Sequence, residues 1–302
     1  MSRTITVGLD GSPESRAAAE WAAREAAQRR LPVKLLHVRE PAPEPIAQAP
    51  QLGVETQQDW GEEIPRESAE GVGLRHPGVE VTSEHLSGHP GKVLGDAARD
   101  AELLVLGSRG LGGIGGFLMG SVGLAVVARA ERPVVLVRAG EQAADEHERD
   151  PAGIPSAATR YRPVVLGIDT DHLEASVIDF AFDAAARRGT ALRAVHGWHL
   201  PSWFVYGRGA GDVYRHDQVV RSQATALTDA LRLWRDKYPS VEVVEMSHSG
   251  SAAALLIDAS RQASLVVVGR RIRRSPFGTH IGSVTHAVLH HAAAPVVVVP
   301  HD

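Results

Sequence analysis

The chain has 302 residues, a formal charge of −4 from 32 basic and 36 acidic residues, 43% hydrophobic residues, 5% aromatics and no cysteine. That length accommodates two domains, each with its own apolar core. The charge balance excludes a global field that would hold a polyphosphate backbone or an anionic membrane, so neither nucleic acid nor membrane is an expected partner. The missing thiols exclude disulfides, thiolate zinc sites and thiol catalysis, and fit a cytoplasmic location.

The chain opens MSRTITVGLDGS and enters a strand-like run at once, so no signal peptide is expected, and no stretch of about 18 apolar residues marks a membrane span. Ile5–Leu9 reads as the first strand. In the turn Asp10-Gly-Ser12-Pro13, Ser12 can cap a helix, Pro13 suits its first turn, and Glu14 lies near the positive end of its dipole. Ala18, Trp21, Ala22 and Ala26 share one face of that helix and are expected in the core. Val33–Val38, the weaker run Val79–Leu86, Leu103–Leu106 and Val134–Val137 supply four more strands, short and apolar as strands buried on both faces should be. Alternation with helical patterns implies right-handed crossovers and a parallel sheet. Gly91-Lys92 is no P-loop, because Val93 stands where Ser or Thr is required.

The informative stretch is LLVLGSRGLGGIGGFLMGSVGLAVVARA. A buried strand ends at Gly107, a glycine-rich loop follows, and Gly120-Ser121 opens a helix whose apolar side includes Val122, Ala125 and Val126. Glycines allow close backbone approach and a helix N-terminus offers unpaired N–H groups, so the layout makes an anion site suited to phosphate. Arg109 can add a positive charge and Ser121 a hydroxyl donor. Gly110-Leu-Gly112-Gly113-Ile-Gly115 also spells the dinucleotide fingerprint, but the strand ends too early and the next one leads to Arg138 where a ribose-binding acid is wanted.

The chain then says nearly the same thing again. TITVGLDGS answers to RPVVLGIDTD, pairing Asp10 with Asp169. KLLHV answers to RAVHG, pairing His37 with His196. AELLVLGSRG answers to ASLVVVGRRI, and GSVGLAVVARAERPVVLVR to GSVTHAVLHHAAAPVVVVP, pairing Gly107 with Gly269 and Ser121 with Ser283. The spacing shifts only by a short insertion in the long middle connection. This is a duplicated domain, not a solenoid, because its unit far exceeds a solenoid period. The domains are expected at 1–138 and 161–302, joined by a linker over 139–160 that is acidic and then rich in Pro, Gly, Ser and Ala. In the second copy Val220, Leu227, Leu231 and Trp234 keep the spacing of an ordinary amphipathic helix.

Gly107-x-x-Gly110, nine residues, then Gly120-Ser121, together with VGLDGS on the first strand, resembles the ATP-binding signature of the universal stress protein family. The resemblance covers both copies. It implies, in each domain, a five-stranded parallel sheet of order 3-2-1-4-5 with helices on both faces. ATP would lie over the carboxyl ends of strands one and four, in keeping with the rule that open α/β sheets bind ligands at the topological switch point. On this carry-over Leu9, Asp10 and Ser12 line the adenosine or metal side, Val38 meets the adenine, and Gly107, Arg109, Gly110, Gly120, Ser121 and Val122 hold ribose and phosphates. Asp10 is the candidate for Mg²⁺ or ribose contact, although an Asp there also forms turns. The resemblance further implies that the last strands of the two domains, Pro133–Val137 and Pro295–Val299, pair into a built-in pseudo-dimer.

The second copy keeps the frame through Asp169, Gly269, Arg270, Gly282, Ser283 and Val284, but Ile272 replaces the second glycine. A β-branched residue opposes positive φ and close phosphate approach, so a weaker or altered second site is expected. Arg270, Arg271, Arg273 and Arg274 could bind phosphate by side chain or meet a partner. His286, His290 and His291 lack the Glu of a zinc-protease motif and are expected in packing or surface roles. No catalytic base or acceptor site is evident beyond the phosphates. The expected function is therefore an ATP-binding switch with at most slow turnover, set against an ATP-using enzyme of the same fold and an assembly module that uses nucleotide structurally.

Overall fold

The computed structural model describes residues 3–40, 54–110, 117–118, 120–199, 210–272 and 281–302. They form two compact units, one built mainly on residues 1–142 and the other on residues 143–271 and 282–301.

The first unit runs β1 (Thr4–Leu9), α1 (Pro13–Arg29), β2 (Val33–Arg39), α2 (Val54–Arg75), β3 (Val81–Ser87), α3 (Pro90–Asp100), β4 (Ala101–Gly110), the two-residue β5 (Phe117–Leu118), α4 (Ser121–Arg129) and β6 (Val134–Arg138). Its main sheet has the order β3-β2-β1-β4-β6 with every pair parallel, the 3-2-1-4-5 order expected. β1 sits where the order reverses. Helices α1 and α2 pack together on one face and α3 and α4 on the other, which is why Ile5, Val7, Leu35, Leu103 and Val105 are buried without alternation. β3 is the edge strand, and its half-exposed residues explain its weaker pattern.

Helix α1 forms where its caps predict. Ser12 Oγ accepts the Ser15 N–H at 3.1 Å, Pro13 begins the first turn, and Trp21 is buried on the sheet side with Ala18, Ala22 and Ala26. It ends at Arg30, a residue with φ 54°. β4 is longer than the apolar run suggested. It stays paired with β6 as far as Ser108, and Arg109 and Gly110 then pair antiparallel with Leu118 and Phe117. Ser108 to Gly110, read from sequence as loop, is therefore strand.

The second unit repeats the plan: β7 (Val164–Gly167), α5 (Ala175–Arg188), β8 (Leu192–Trp198), α6 (Ala210–Lys237), β9 (Val243–Ser249), α7 (Ala252–Ser260), β10 (Leu265–Arg271), α8 (Ser283–His291) and β11 (Val296–His301). Its order, β9-β8-β7-β10-β11, is again parallel throughout. In α6, Leu227 and Leu231 are fully buried, whereas Val220 is exposed, so the buried face begins later than the spacing suggested.

The stretch read as a linker is folded over much of its length. His147 bridges to Tyr161 and Arg149 to Pro155, with Gly153 at φ 80° in the turn. The rings of His147 and Tyr161 lie 3.9 Å apart between centroids, and the Arg188 guanidinium of α5 sits 5.7 Å above Tyr161. Polar composition concealed a hairpin held by backbone pairing and one aromatic clasp.

Candidate functional site

In the first unit the candidate residues converge on the carboxyl ends of β1, β2 and β4. Leu9 ends β1 with its side chain 6% exposed in the core, so what it offers at the edge is main chain. Asp10 follows and closes an Asx turn: its Oδ1 accepts the Ser12 N–H at 3.0 Å and the Ser12 hydroxyl, with Gly11 at φ 79° between them. Ser12 in turn caps α1. The Asp10-Gly-Ser12 turn thus joins the strand to a capped helix through consecutive hydrogen bonds, and the Asp10 carboxylate stands exposed at the switch point.

Val38 lies half-buried at the end of β2, next to His37. His37 pairs in register with Leu9 on one side and His85 on the other, and its Nδ1 is 3.0 Å from Nδ1 of His85. Burial and the neighbouring His85 push the His37 pKa below the usual histidine value, and the Asp10 carboxylate pulls the other way. This histidine pair at the rim was not foreseen from the sequence. Pairing of β2 with β3 was needed to see it.

The glycines of the motif have different physical reasons. A Cβ on Gly107 would lie 2.5 Å from the carbonyl carbon of Glu14 and 2.7 Å from the Ser15 nitrogen. The first turn of α1 packing on β4 therefore requires a glycine at 107. Gly120 is the opposite case. It caps α4 at φ −61° and ψ 154°, values open to any residue, and a Cβ there would meet no described residue within 4 Å. Neither strain nor packing among the described residues explains a glycine at 120. The space it leaves open lies over a helix start that receives no side-chain cap among the described residues, with Ser121 exposed and Val122 half-buried in the first turn. Arg109 and Gly110 are placed by their pairing with β5, while Gly112, Gly113 and Gly115 lie outside the described residues.

The second unit has the same frame with different contents. Asp169 repeats the Asx turn by accepting the Asp171 N–H at 3.1 Å, and its Oδ2 lies 3.2 Å from Nδ1 of His172. The repeat would start α5 at His172, but it starts at Ala175, behind Glu174, which makes no side-chain cap. Gly282, Ser283 and Val284 open α8, again without a side-chain cap and with no atom within 4 Å of a Cβ at Gly282 among the described residues. The expectation for Arg270 is corrected. β10 extends to Arg271, and strand alternation turns Arg270 inward, 4% exposed, while Arg271 faces the cleft. Arg273 and Arg274 lie outside the described residues.

A cavity of about 850 Å³ occupies the carboxyl edge of this second sheet. Its lining joins Asp169 after β7, His196 and Trp198 on β8, Arg271 on β10, Ser283 on α8 and His301 on β11. His301 Nδ1 is 3.0 Å from Glu174 Oε1, tying the last strand to the start of α5. The repeat frame signalled a cleft here, but nothing in the sequence indicated its size.

Each half is thus an open α/β domain, with the candidate residues of the first gathered at the switch point of its sheet and a cavity at the matching edge of the second. The model of the Universal stress protein family matches residues 1–138 and again 160–300. A universal stress protein of Mycobacterium tuberculosis is 33% identical over 306 residues, covering 97% of this chain and 96% of its own. One from Mycolicibacterium smegmatis is 32% identical over 305 residues, covering 98% and 96%. The crystal structure of a universal stress protein from Archaeoglobus fulgidus superposes with a TM-score of 0.71 at 16% identity over 100% of both chains, a likeness of fold. The chain belongs to the universal stress protein family, with two tandem copies of its domain. No helix among the described residues is long and apolar enough to cross a membrane.

Proposed function

We propose that this protein is an ATP-binding switch that holds ATP with Mg²⁺ in the first cleft and turns it over slowly or not at all. The observation that carries this reading is Gly120: a glycine that neither its conformation nor packing among the described residues requires, over a helix N-terminus without a side-chain cap among them, at the switch point of the sheet. Ser121, Val122 and the ends of β4 at Arg109 and Gly110 would hold phosphates and ribose. Val38 would border the base, and the exposed carboxylate of Asp10 would meet Mg²⁺ beside phosphate oxygens. Among the described residues no group of three or more His, Asp or Glu could hold a metal, so a cation at Asp10 would rely on phosphate for its remaining ligands. A cytoplasmic location and nucleotide-dependent association with a protein partner or a second copy belong to the same reading.

The test is Mg·ATP binding by calorimetry on the whole chain. Gly120→Val should weaken binding at least ten-fold, about 1.4 kcal/mol, with a stability change under about 1 kcal/mol. Tight ATP binding that is unaffected by Gly120→Val would sink the site. A turnover assay with Asp10→Ala as control separates a switch from an ATP-using enzyme, and turnover above about 1 per second would favour the enzyme.

A further inference from the structure

Strand register brings two histidines together at the edge of the first sheet. His37 on β2 and His85 on β3 hold paired positions although 48 residues separate them in the chain. Side chains at paired positions leave the sheet on the same face, and both of these are half-buried there. Their Nδ1 atoms lie 3.0 Å apart, with 5.1 Å between ring centroids and 24° between ring planes. Rings stacked face to face would pack about 3.5–4.0 Å apart. These two instead meet edge to edge, each turning one nitrogen toward the other.

A neutral pair in this arrangement shares one proton, so that one Nδ1 donates and the other accepts. Neither Nε2 has a protein partner among the described residues. The shared proton can therefore move to the outer nitrogen of its ring, which leaves two bare lone pairs facing one space. The distance suits an ion in that space. With metal–nitrogen bonds of about 2.0–2.1 Å, two ligating nitrogens stand about 2.8–3.0 Å apart at a right angle and about 3.3–3.4 Å apart in a tetrahedron. The observed separation meets the first value, and a small rotation of each ring about its Cβ–Cγ bond aims both lone pairs at the ion. The charge nearby has the right sign, since the Asp10 carboxylate favours positive charge at His37.

We propose that His37 and His85 together bind a divalent transition-metal ion that prefers imidazole, of the class of Ni²⁺, Cu²⁺ and Zn²⁺. The pair keeps its protons: the Nδ1 proton of one ring passes to its Nε2, and two metal–nitrogen bonds replace one hydrogen bond. No group of three or more metal-ligating residues is present among the described residues, so water fills the remaining positions and the ion exchanges. Mg²⁺ prefers oxygen ligands and does not compete, which separates this site from the contact proposed for Asp10. The second unit sets Ser247 opposite His196 in the same register, so the site belongs to the first unit. The ion ties the edge strand β3 to β2 through side chains as well as main chain.

The experiment titrates Ni²⁺ into the full chain, without a histidine tag, by calorimetry. The chain has 15 histidines, so variants decide which of them hold the ion. His37→Asn and His85→Asn each keep an amide for the cross-strand hydrogen bond but remove a ligand. Each should weaken the strongest equivalent of Ni²⁺ by roughly ten-fold or more, at least the loss typical of removing an outer partner of a metal ligand. The double variant should lose no more than either single one. Ni²⁺ should also raise the melting temperature of the unaltered chain and not that of either variant. Its paramagnetism should broaden the ring signals of His37 and His85 before those of other histidines. Melts without metal show that the variants fold, and His85→Asn on the edge strand keeps the test decisive where His37→Asn costs stability. Ni²⁺ binding that survives either substitution overturns the proposal. So does binding lost on His286→Ala, since His286 and His290, with ring centroids 4.4 Å apart on α8, are the competing pair. Ni²⁺ binding that follows His37 and His85 in a chain that never binds ATP supports this proposal and overturns only the reading of the first cleft.

Discussion

The two units part ways where the first strand hands over to the first helix. In the first, Asp10, Ser12 and Ser15 are linked by consecutive hydrogen bonds, α1 begins at once, and its first turn approaches β4 so closely that Gly107 has no room for a side chain. In the second, no residue of that kind caps α5, the helix starts late, and the nearest described neighbours of a Cβ at Gly269 would be side chains, His301 at 3.0 Å and Val177 at 3.2 Å. Loss of a cap has therefore done more than weaken one helix end. It has withdrawn a backbone wall, and Glu174, Val177 and His301 line the cavity there. A duplicated fold can diverge at its strand-to-helix junctions while the strand order of its main sheet is kept.

The comparison breaks first at the glycines. Gly107→Ala should destabilise the first unit by about 3 kcal/mol, because backbone cannot swing aside, whereas Gly269→Ala should cost about 1 kcal/mol or less, because side chains can. Denaturant unfolding of both variants checks the pair, and equal costs would remove the distinction between the two junctions. Next come the caps. Ser12→Ala should cost about 1 kcal/mol, while Asp171→Ala, at the matching exposed position, should change stability by less than about 0.5 kcal/mol. The far ends of the same helices give a smaller effect of opposite sign: α1 ends in a left-handed Arg30 where α5 ends in Gly189 at φ 58°. Arg30→Gly should stabilise by roughly 0.5–1 kcal/mol in the same assay.

The smallest effect concerns pH. His37 has a folded pKa below 6.5, lowered by burial and by His85. The folded state therefore binds the proton less readily than the unfolded chain does, and the stability that neutral His37 contributes is fully present above pH 6.5 and declines as pH falls below it. His37→Gln should flatten that decline in thermal melts between about pH 5 and 7.

Much of this was legible in the sequence. Strand positions followed from short apolar runs, α1 from Ser12 and Pro13, and the duplication from paired motifs, because each of these rests on local chemistry or on self-comparison. The tandem family membership followed from the glycine spacing. Function stood on the same glycines, and here position in sequence was a poor guide to physical reason. Gly107 and Gly120 belong to one signature, yet one is demanded by a helix and the other by nothing among the described residues.

What only the tertiary structure decided depended on residues far apart in the chain. Residues 139–160 looked like linker by composition, but His147 within them found Tyr161, and Arg188 lies over the Tyr161 ring. Arg270 looked available for phosphate until two more residues of strand turned it inward. The second cavity needed β7, β8, β10, α5 and α8 brought to one edge before its carboxylates, Trp198 and the Gln223 amide formed one surface. Local sequence determines where elements start and stop, because caps and periodicity act over a few residues. What a cleft can bind depends on side chains that meet only after the sheet has closed, and no local signal encodes that meeting.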